Sequence, residues 1–470
     1  MIRIIAIKEI STLFREKIFW IVAVVLLMLL TASLVSSSLS VKQLNKERTE
    51  AQRMSREGWL MQPPKNPHSA AHYGNFAFRI KSPLSFFDNG LDAYTGTYLF
   101  LEPHKQNGDK FSQAEESSSL LRFGELTPSF VLQLLLPLLV VFAGFGAVTR
   151  EREGNTLGLL LAQGSSMRQI ITGKIAGHWL AFTLLLLPFF IISMLVLGSF
   201  SSRQPVEWSR MALLFAAYLL YTGIWITITL LVSAYSVTSR SALMKLLGVW
   251  MLAVIIIPKV SANIGNILYK TPSQFQLASQ INKDVEEGLD GHNPYDKRRN
   301  ALLESILKKY KVSRQEDLPV NFDAIAMMES EKYTTEVFRK RKEEVDWLFL
   351  KQNNISEWAA MLNPVQALQY SSMALCGTDY AHYHDFQNQG ENYRLYFVNT
   401  MNEYMSTHTQ SGDWSKKFGR ESYELVKPFS YRPASLGFAF QHQPLSFAAL
   451  LLWLMLCCVF VYRTNKIKIA

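Results

Sequence analysis

The sequence predicts an α-helical polytopic membrane protein with six transmembrane helices and a mainly helical extracytoplasmic domain built from two insertions. Hydrophobic residues make up 49% of the 470 residues and charged residues only 18%, which is less charge than soluble proteins usually carry. The apolar residues are concentrated in six runs of about 20 residues, the length that crosses the ~30 Å hydrocarbon layer. Two long polar stretches separate these runs, and together they are long enough to build a core of their own.

The N-terminal residues 1–17 are predicted to form an amphipathic helix in the membrane interface. Its apolar side chains recur at helical spacing near one face: Ile2, Ile5, Ile10, Leu13 and Phe14. The first span is predicted at residues 18–38. A cleaved signal peptide is the alternative, but Glu9, Glu16 and the overlong apolar run disfavour it.

Five further apolar runs complete the predicted membrane domain. They are residues 127–149, 175–200, 210–235, 242–260 and 445–462. Lys and Arg are concentrated in the loop at 150–174, around the short loop after residue 235, and in the tail at 463–470. Because Lys and Arg accumulate in cytoplasmic loops, both termini and these basic segments are predicted to be cytoplasmic.

The two polar stretches, residues 39–126 and 261–444, are then predicted to lie together on the opposite side of the membrane. The first should continue the helix of span one through Trp59, because no helix breaker occurs before Pro63. Beyond that point, repeated Pro and Asn-Gly pairs predict a turn-rich segment.

The second polar stretch is predicted to be mostly helical. Ser313 and Glu316 fit a capping box, and a long amphipathic helix is expected from about Phe322 onwards. Asn363 before Pro364 has the pattern of a helix N-cap, and Gly377 should end that helix. Apolar residues at helical spacing mark one further helix: Tyr383, Phe386, Tyr393, Phe397, Met401 and Tyr404.

No catalytic motif stands out in the chain. Gly173-Lys174 resembles the end of a phosphate-binding loop, but Ile175 stands where Ser or Thr is required. Almost no ionisable residue lies in the middle of a predicted span, which disfavours an ion-driven pump. The net charge of +10 is attributed to basic membrane loops and not to nucleic-acid binding. The sequence therefore predicts a protein that is not an enzyme, holds no cofactor and has the lipid membrane, not nucleic acid, as a partner.

The histidines raise the question of a metal site. His68 and His72 are four residues apart with His104 downstream, and His382 and His384 form a second pair. Metal sites use His together with a third ligand and supporting hydrogen bonds. Nothing in the sequence shows that these residues converge. Surface or turn histidines are therefore the favoured interpretation, and a metal site at His68, His72 and His104 stays open as the other.

Two regions of the chain resemble a known family of membrane proteins. The segments Glu151-Arg-Glu-Gly-Asn-Thr-Leu157, Leu160-Leu161, Gly164 to Arg168 and Gly173-Lys174 resemble the first cytoplasmic loop of type-2 ABC exporter permeases. Ala6-Ile-Lys-Glu9 and Arg15 resemble the N-terminal helix of that family. Many members have Glu-Gly-Thr where this chain has Glu153-Gly154-Asn155-Thr156, which is one residue more.

Segments of the polar stretches are similar to a bacterial subgroup of these permeases that carries a large uncharacterised periplasmic domain. The similar segments are Pro67 to Gly74, Ser82 to Leu84, Phe87 to Gly90, Leu101 to Asn107, Asn363-Pro364 and Cys376 to Asp379.

The resemblance implies a permease subunit of the bacterial inner membrane that couples ATP hydrolysis by separate subunits to export or extraction of a substrate. Its implied partners are ABC ATPase subunits, which bind ATP and Mg²⁺, and a second permease, identical or different. A helix at about 155–163 would dock in a groove of the ATPase. The implied coupling residues are Glu151, Glu153, Thr156, Leu157, Leu160, Leu161 and Arg168.

In that arrangement the three leucines would supply apolar contacts. The two glutamates precede the helix N-terminus, where the helix dipole favours negative charge. The alternative functions are a membrane-anchored periplasmic binding or assembly module, and a metal-handling module.

Overall fold

The fold is given by a computed structural model that describes residues 1–106, 110–112, 126–201, 203–289 and 293–466. Residues 467–470 of the predicted tail, and Asn107 at the end of one family-like segment, lie outside these ranges. From the N-terminus to the fifth span, the helices are α1 Ile2–Arg15, α2 Lys17–Leu60, α3 Pro67–Ala71, α4 Pro128–Gly144, α5 Thr149–Glu153, α6 Thr156–Ala162, α7 Met167–Gly198, α8 Pro205–Tyr235, α9 Ser239–Met251 and α10 Ile257–Leu268. The remaining helices are α11 Gln274–Glu287, α12 Tyr295–Tyr310, α13 Phe322–Leu362, α14 Pro364–Cys376, α15 Tyr380–His408, α16 Arg420–Tyr423, α17 Leu436–His442 and α18 Pro444–Arg463.

The prediction of six membrane spans in a mostly helical protein is confirmed. Six helical segments of the described chain are long and apolar enough to cross a bilayer: Lys17–Leu60, Pro128–Glu153, Met167–Gly198, Pro205–Tyr235, Ser239–Leu268 and Pro444–Arg463. The helix of span three, α7, begins eight residues before the predicted span, because Ser166 and Gln169 form a reciprocal capping box at its N-terminus. The last eight residues of the predicted loop, 167–174, therefore belong to the first turns of α7.

The first span and the extramembrane domain share one continuous helix. The 44-residue α2 leaves the membrane and ends at Leu60, as the absence of an earlier breaker predicted. Trp59 near its end is fully buried, and its indole nitrogen donates a hydrogen bond to the Tyr423 carbonyl at 2.9 Å. This contact joins the two polar stretches, which are far apart in sequence, into one domain.

A small antiparallel sheet in the first polar stretch was not predicted. Its strands are β1 Asn75–Phe78, β2 Gly96–Glu102, β3 Lys105–Gln106 and β4 Lys110–Ser112, with β2 paired to all three others. Alternate positions carry aromatic rings that contact one another across β1 and β2: Phe76, Phe78, Tyr98 and Phe100. The opposite face places Leu99 and Leu101 in the domain core with Phe386 and Phe397.

The helices of the second polar stretch follow their predicted caps, with one exception. Asn363 caps α14 by accepting a hydrogen bond from the Val365 amide, and Gly377 ends it in a left-handed conformation at φ +72°. The predicted capping box at Ser313 is wrong, because only a short 3₁₀ turn forms at Gln315–Asp317. Pro319 follows Leu318 and forces it into extended backbone, so a helix cannot continue there.

The fifth span is not a uniform α-helix. Residues Leu252–Ile256 between α9 and α10 form a π-helical turn. Pro258 lacks an amide hydrogen, which interrupts the helical ladder just beyond this turn. The Ala253 carbonyl accepts a hydrogen bond from the Asn363 side chain at 2.7 Å, so the extramembrane domain contacts the span at its irregular turn.

Candidate functional site

The segment between spans two and three (residues 149–166, here the interspan segment) forms two short helices joined by a sharp turn. Asn155 stands between α5 and α6 with a left-handed backbone at φ +57°. Asparagine tolerates this conformation better than most residues. The Thr156 hydroxyl donates back to the Glu151 carbonyl at 3.2 Å, which closes the turn. The helix implied at 155–163 is therefore present, as α6.

The leucines of α6 do not all face the same way. Leu157 is only 1% exposed and packs in a cluster with Ile5, Ile170 and Ala234 of the same chain. The expectation that Leu157 contacts a partner is therefore corrected, since its side chain is enclosed by this protein. Leu160 and Leu161 are partly buried against the same cluster.

Leu159 occupies the outer side of α6. Two positions along a helix correspond to a rotation of about 200°, so Leu159 points away from the side that Leu157 buries. Its side chain is 63% exposed. The exposed leucine of α6 is therefore Leu159, which the sequence analysis did not single out.

Beneath the interspan segment lies a buried ion cluster formed by Lys174, Glu9 and Glu151. The Lys174 ammonium lies 2.7 Å from a Glu9 oxygen and 3.0 Å from a Glu151 oxygen, and its side chain is 2% exposed. Lys8 adds a second contact to Glu151 at 2.8 Å from an exposed position. In the sequence, Lys174 belongs to an incomplete phosphate-binding-loop pattern. In the structure, its ammonium group joins α1, α5 and α7.

Close backbone packing allows α1 to reach this cluster. Gly173 and Gly177 are four residues apart on α7, and both face α1: an added Cβ would lie 2.8 Å from Ile5 Cβ and 2.7 Å from the Ala6 carbonyl oxygen, respectively. Small residues at this spacing let membrane helices approach closely. This Gly-x-x-x-Gly pattern was the signal in the sequence that could have located the α1 contact.

We expect Gly177→Ala to weaken the docking of α1, because the new methyl group meets backbone that cannot move aside. Overpacking of this kind costs about 1–3 kcal/mol. The matched control is Gly248→Ala in the fifth span, where an added Cβ meets nothing within 4 Å. Thermal unfolding in detergent should show a lower midpoint for Gly177→Ala and an unchanged or slightly higher one for Gly248→Ala. Equal midpoints would contradict the close contact.

The other charges of the interspan segment tie it to neighbouring spans. Arg150 forms an ion pair with Glu16 at 2.9 Å, next to the start of span one. Arg152 donates to the Ala234 carbonyl at 2.8 Å and to the Ser236 carbonyl, at the end of span four.

Glu153 and Arg168 make contacts with the last two spans. Glu153 accepts from the amide and hydroxyl of Ser239, both at 2.8 Å, at the start of span five. The Arg168 guanidinium lies 4.5 Å from the centre of the Tyr462 ring, and its amide donates to the Asn465 side chain at the end of span six. The candidate coupling residues thus all lie on α5, α6 and the first turn of α7 (residues 149–168, here the platform), and several of them bind this chain itself.

Arg210 makes the corresponding connection at the other end of span four. It is 4% exposed and donates to the carbonyls of Ala434 and Ser435 at 2.8 Å each. It also donates to the carbonyls of Leu375 at 3.2 Å and Ala374 at 3.5 Å, at the C-terminal end of α14. A guanidinium that binds several carbonyls at once holds the extramembrane domain against α8. Sequence reasoning missed this residue.

A second candidate site lies in the extramembrane domain, where three histidines converge. The Nε2 atom of His68 lies 3.1 Å from that of His72 and 3.2 Å from that of His104. Within the described residues, their ligand atoms all fall within 4.8 Å of one another. The three histidines therefore converge, which the sequence did not show, although His72 and His104 are exposed residues in turns.

The elements around the histidines explain this convergence. His68 lies in α3, which Asn66 caps, and His72 follows one turn later on the same side. His104 lies in the turn between β2 and β3 with a left-handed backbone at φ +63°. Neither the pairing of these strands nor their approach to α3 is visible in the spacing of the histidines.

Hydrogen bonds orient two of the three rings. The second ring nitrogen of His68, Nδ1, lies 3.0 Å from the Asn402 side-chain oxygen. His104 Nδ1 lies 2.6 Å from a Glu331 oxygen, and the His104 amide also donates to that oxygen. Glu331 is fully buried and pairs with Arg394 at 2.8 Å. These bonds leave the Nε2 atoms directed at one another.

The electrostatics of the histidine cluster follow from burial and mutual repulsion. Burial, and after it the neighbouring histidines, lower the pKa of His68 to about 4. Burial also lowers the pKa of His72. Burial alone would raise the pKa of the Glu331 carboxyl, but His104 and Arg394 outweigh it and hold that pKa below its usual value. His68 and His72 are therefore neutral at pH 7, the form in which imidazole binds metals.

The second pair of histidines does not join this cluster. His382 Nδ1 contacts Asp379 at 2.5 Å, and His384 Nε2 contacts Asp346 at 2.8 Å. Each ring thus has its own carboxylate partner and a local structural role.

The fold and these sites define a multi-pass helical membrane protein with an extramembrane domain. Comparison with known families gives two matches. Residues 104–277 match a family described as a protein of unknown function (DUF2705), and residues 275–432 match a domain of unknown function (DUF3526). No curated protein matches the chain. The first match covers spans two to five, and the second covers most of the helical part of the extramembrane domain.

Proposed function

We propose that this protein is the permease subunit of an ABC transporter of the bacterial inner membrane. The observation that carries the proposal is the exposed outer face of α6 on a platform bonded to the other spans. Leu157 fixes α6 to the protein, while Leu159 on its opposite face is 63% exposed. A soluble ATPase that pressed on this face would act on several spans together.

The bonds of the platform support this role. Arg150 reaches the start of span one, Arg152 the end of span four, and Glu153 the start of span five. Lys174 joins the platform to α1 and to span three. A displacement of α6 would therefore be passed to the membrane helices through charged and hydrogen-bonded contacts, not only through a flexible loop.

Span four offers a route from the platform to the extramembrane domain. Ala234, at one end of α8, accepts from Arg152, and Arg210, at the other end, holds the carbonyls of the extramembrane domain. The two positions are separated by roughly 36 Å at 1.5 Å per helical residue. In the proposed cycle, α8 transmits the movement of the platform to the domain across the whole membrane.

The proposal places ATP hydrolysis on separate ABC ATPase subunits that bind ATP and Mg²⁺, with this chain as a transport subunit and not an enzyme. The transport pathway would form with a second permease, identical or different. The platform and both termini would be cytoplasmic, as the distribution of Lys and Arg favours, and the extramembrane domain would be periplasmic.

We expect Leu159→Asp to abolish pairing with the ATPase while the protein still inserts and folds. A buried carboxylate in the ATPase groove is unfavourable, and a loss of 1.4 kcal/mol already weakens binding tenfold. The experiment purifies the tagged full-length protein from membranes of its native host under mild detergent. Mass spectrometry should identify a co-purifying ABC ATPase with the wild type and at least tenfold less with Leu159→Asp.

The matched control is Leu425→Asp, which makes the same change at a residue 48% exposed in the extramembrane domain. It should retain the ATPase fully. Absence of any ABC ATPase from the wild-type preparation would overturn the proposed function. Equal recovery with Leu159→Asp and the wild type would overturn the assignment of α6 as the contact.

A further inference from the structure

We propose that His68, His72 and His104 form a binding site for a first-row divalent cation of the zinc type. The inference goes beyond the proposed transport function and does not rest on it. It follows from the positions of the ring nitrogens, the hydrogen bonds behind them, and the access to solvent in front of them.

The distances between the ring nitrogens match a shared metal ion. Zinc binds imidazole nitrogen at about 2.0–2.1 Å in tetrahedral geometry, which places two ligand nitrogens roughly 3.3–3.4 Å apart. The Nε2 separations from His68 are 3.1 Å to His72 and 3.2 Å to His104. The two separations from His68 are thus already near the spacing of a coordination sphere, and all three ligand atoms lie within 4.8 Å of one another.

The hydrogen bonds behind the rings decide where the protons lie. The Glu331 carboxylate only accepts hydrogen bonds, so His104 carries a hydrogen on Nδ1. With the Asn402 carbonyl oxygen towards its ring, His68 carries its hydrogen on Nδ1 as well. With the hydrogen on Nδ1, Nε2 is the atom of each ring that is left to bind a metal ion, and the Nε2 atoms of His68 and His104 face each other at 3.2 Å.

The bonds to Glu331 and Asn402 are of the kind that supports metal ligands. Histidine ligands usually donate their second ring nitrogen to a carboxylate or a carbonyl, which fixes the ring and raises its basicity. Glu331 is itself held by Arg394 at 2.8 Å. The ligands lie on α3, at its C-terminal end and in the turn between β2 and β3, and their supports lie on α13 and α15.

Access to the site is from one side. His68 is 7% exposed and forms the base, while the His104 side chain is 42% exposed at the mouth. Three protein ligands leave a fourth tetrahedral position open to water or to a small ligand, as in exchangeable or catalytic zinc sites. Imidazole favours Zn²⁺, Cu²⁺ and Ni²⁺ over Mg²⁺ and Ca²⁺, which prefer oxygen ligands.

The test uses the full-length protein in detergent, purified through a tag without histidines and stripped with a chelator. ZnCl₂ is then titrated in a calorimeter, and bound metal is measured by mass spectrometry after gel filtration. We expect one Zn²⁺ per chain, and a drop in affinity of at least a hundredfold for His72→Ala. His72 is exposed, so its loss should leave the fold intact, which a thermal unfolding curve would verify.

The matched control is His408→Ala, an exposed histidine at the end of α15 outside the cluster, which should bind Zn²⁺ like the wild type. A tenfold excess of Ca²⁺ should not compete. The proposal is overturned if the wild type binds no stoichiometric Zn²⁺, if His72→Ala binds as well as the wild type, or if Ca²⁺ displaces the metal. A proton shared between His68 and His104, seen by NMR as an imidazolium without Zn²⁺ binding, would also overturn it.

Discussion

Lys174→Met is expected to lower the free energy of unfolding by about 3–5 kcal/mol and to release α1 from span three. The change removes the only ammonium group that is buried between Glu9 and Glu151 in the described part of the chain. Two carboxylates would then face each other at positions 7% and 12% exposed, without a buried counter-charge. Thermal unfolding in detergent, with hydrogen exchange of α1 measured alongside, provides the test.

Lys8→Met is the matched control, because Lys8 contacts the same Glu151 oxygen from a side chain that is 57% exposed. Exposed ion pairs contribute about 0–1 kcal/mol, so this variant should unfold close to the wild type. The triple change Lys174→Met, Glu9→Gln and Glu151→Gln removes the charges together and should recover much of the lost stability. Similar midpoints for Lys174→Met and Lys8→Met would show that the buried cluster does not hold α1.

Arg210→Ala is expected to detach span four from the extramembrane domain at a cost of about 3 kcal/mol or more, since buried carbonyls would lose their donor. The affected acceptors lie on two segments of the domain, at Ala374 to Leu375 and at Ala434 to Ser435. Under the proposed function, the ATPase would still bind α6, but transport would fail because the domain no longer follows α8. Protease sensitivity of the extramembrane domain and recovery of the ATPase, measured on one preparation, separate these effects.

Two further variants calibrate this result. Arg203→Ala removes an exposed arginine in the loop before α8, where its guanidinium donates to the Phe200 carbonyl at 2.9 Å. This variant should leave the extramembrane domain resistant to protease. Arg210→Lys keeps the charge but loses the planar fork that reaches several carbonyls, so it should fall between the wild type and Arg210→Ala. If Arg210→Ala leaves the domain as resistant as the wild type, the attachment depends on other contacts.

The features that local sequence decides were predicted well. The six spans follow from the length and composition of the apolar runs. Asn363 with Pro364 and the later Gly377 gave both ends of α14, because caps depend on residues adjacent in the chain. The same holds for α2, which continues to Leu60 because nothing in its sequence stops it.

The features that depend on distant residues were not predicted. Lys174 and Glu9 are 165 residues apart, and their ion pair exists only because α1 packs on α7. His104 meets His68 through strand pairing and a left-handed turn, which histidine spacing does not reveal. The inward direction of Leu157 likewise depends on what lies beneath α6, not on the sequence of α6 itself.

The π-helical turn at Leu252–Ile256 sets the angular phase of the second half of span five. If these residues returned to α geometry, every later residue would rotate by about 100° and advance by about 1.5 Å relative to α9. Gly265 now approaches α13 so closely that an added Cβ would lie 3.0 Å from the Gln352 carbonyl oxygen. After the rotation, a residue with a side chain would occupy that place and would not fit. The fit of Gly265 against α13 therefore selects the helical phase that span five adopts.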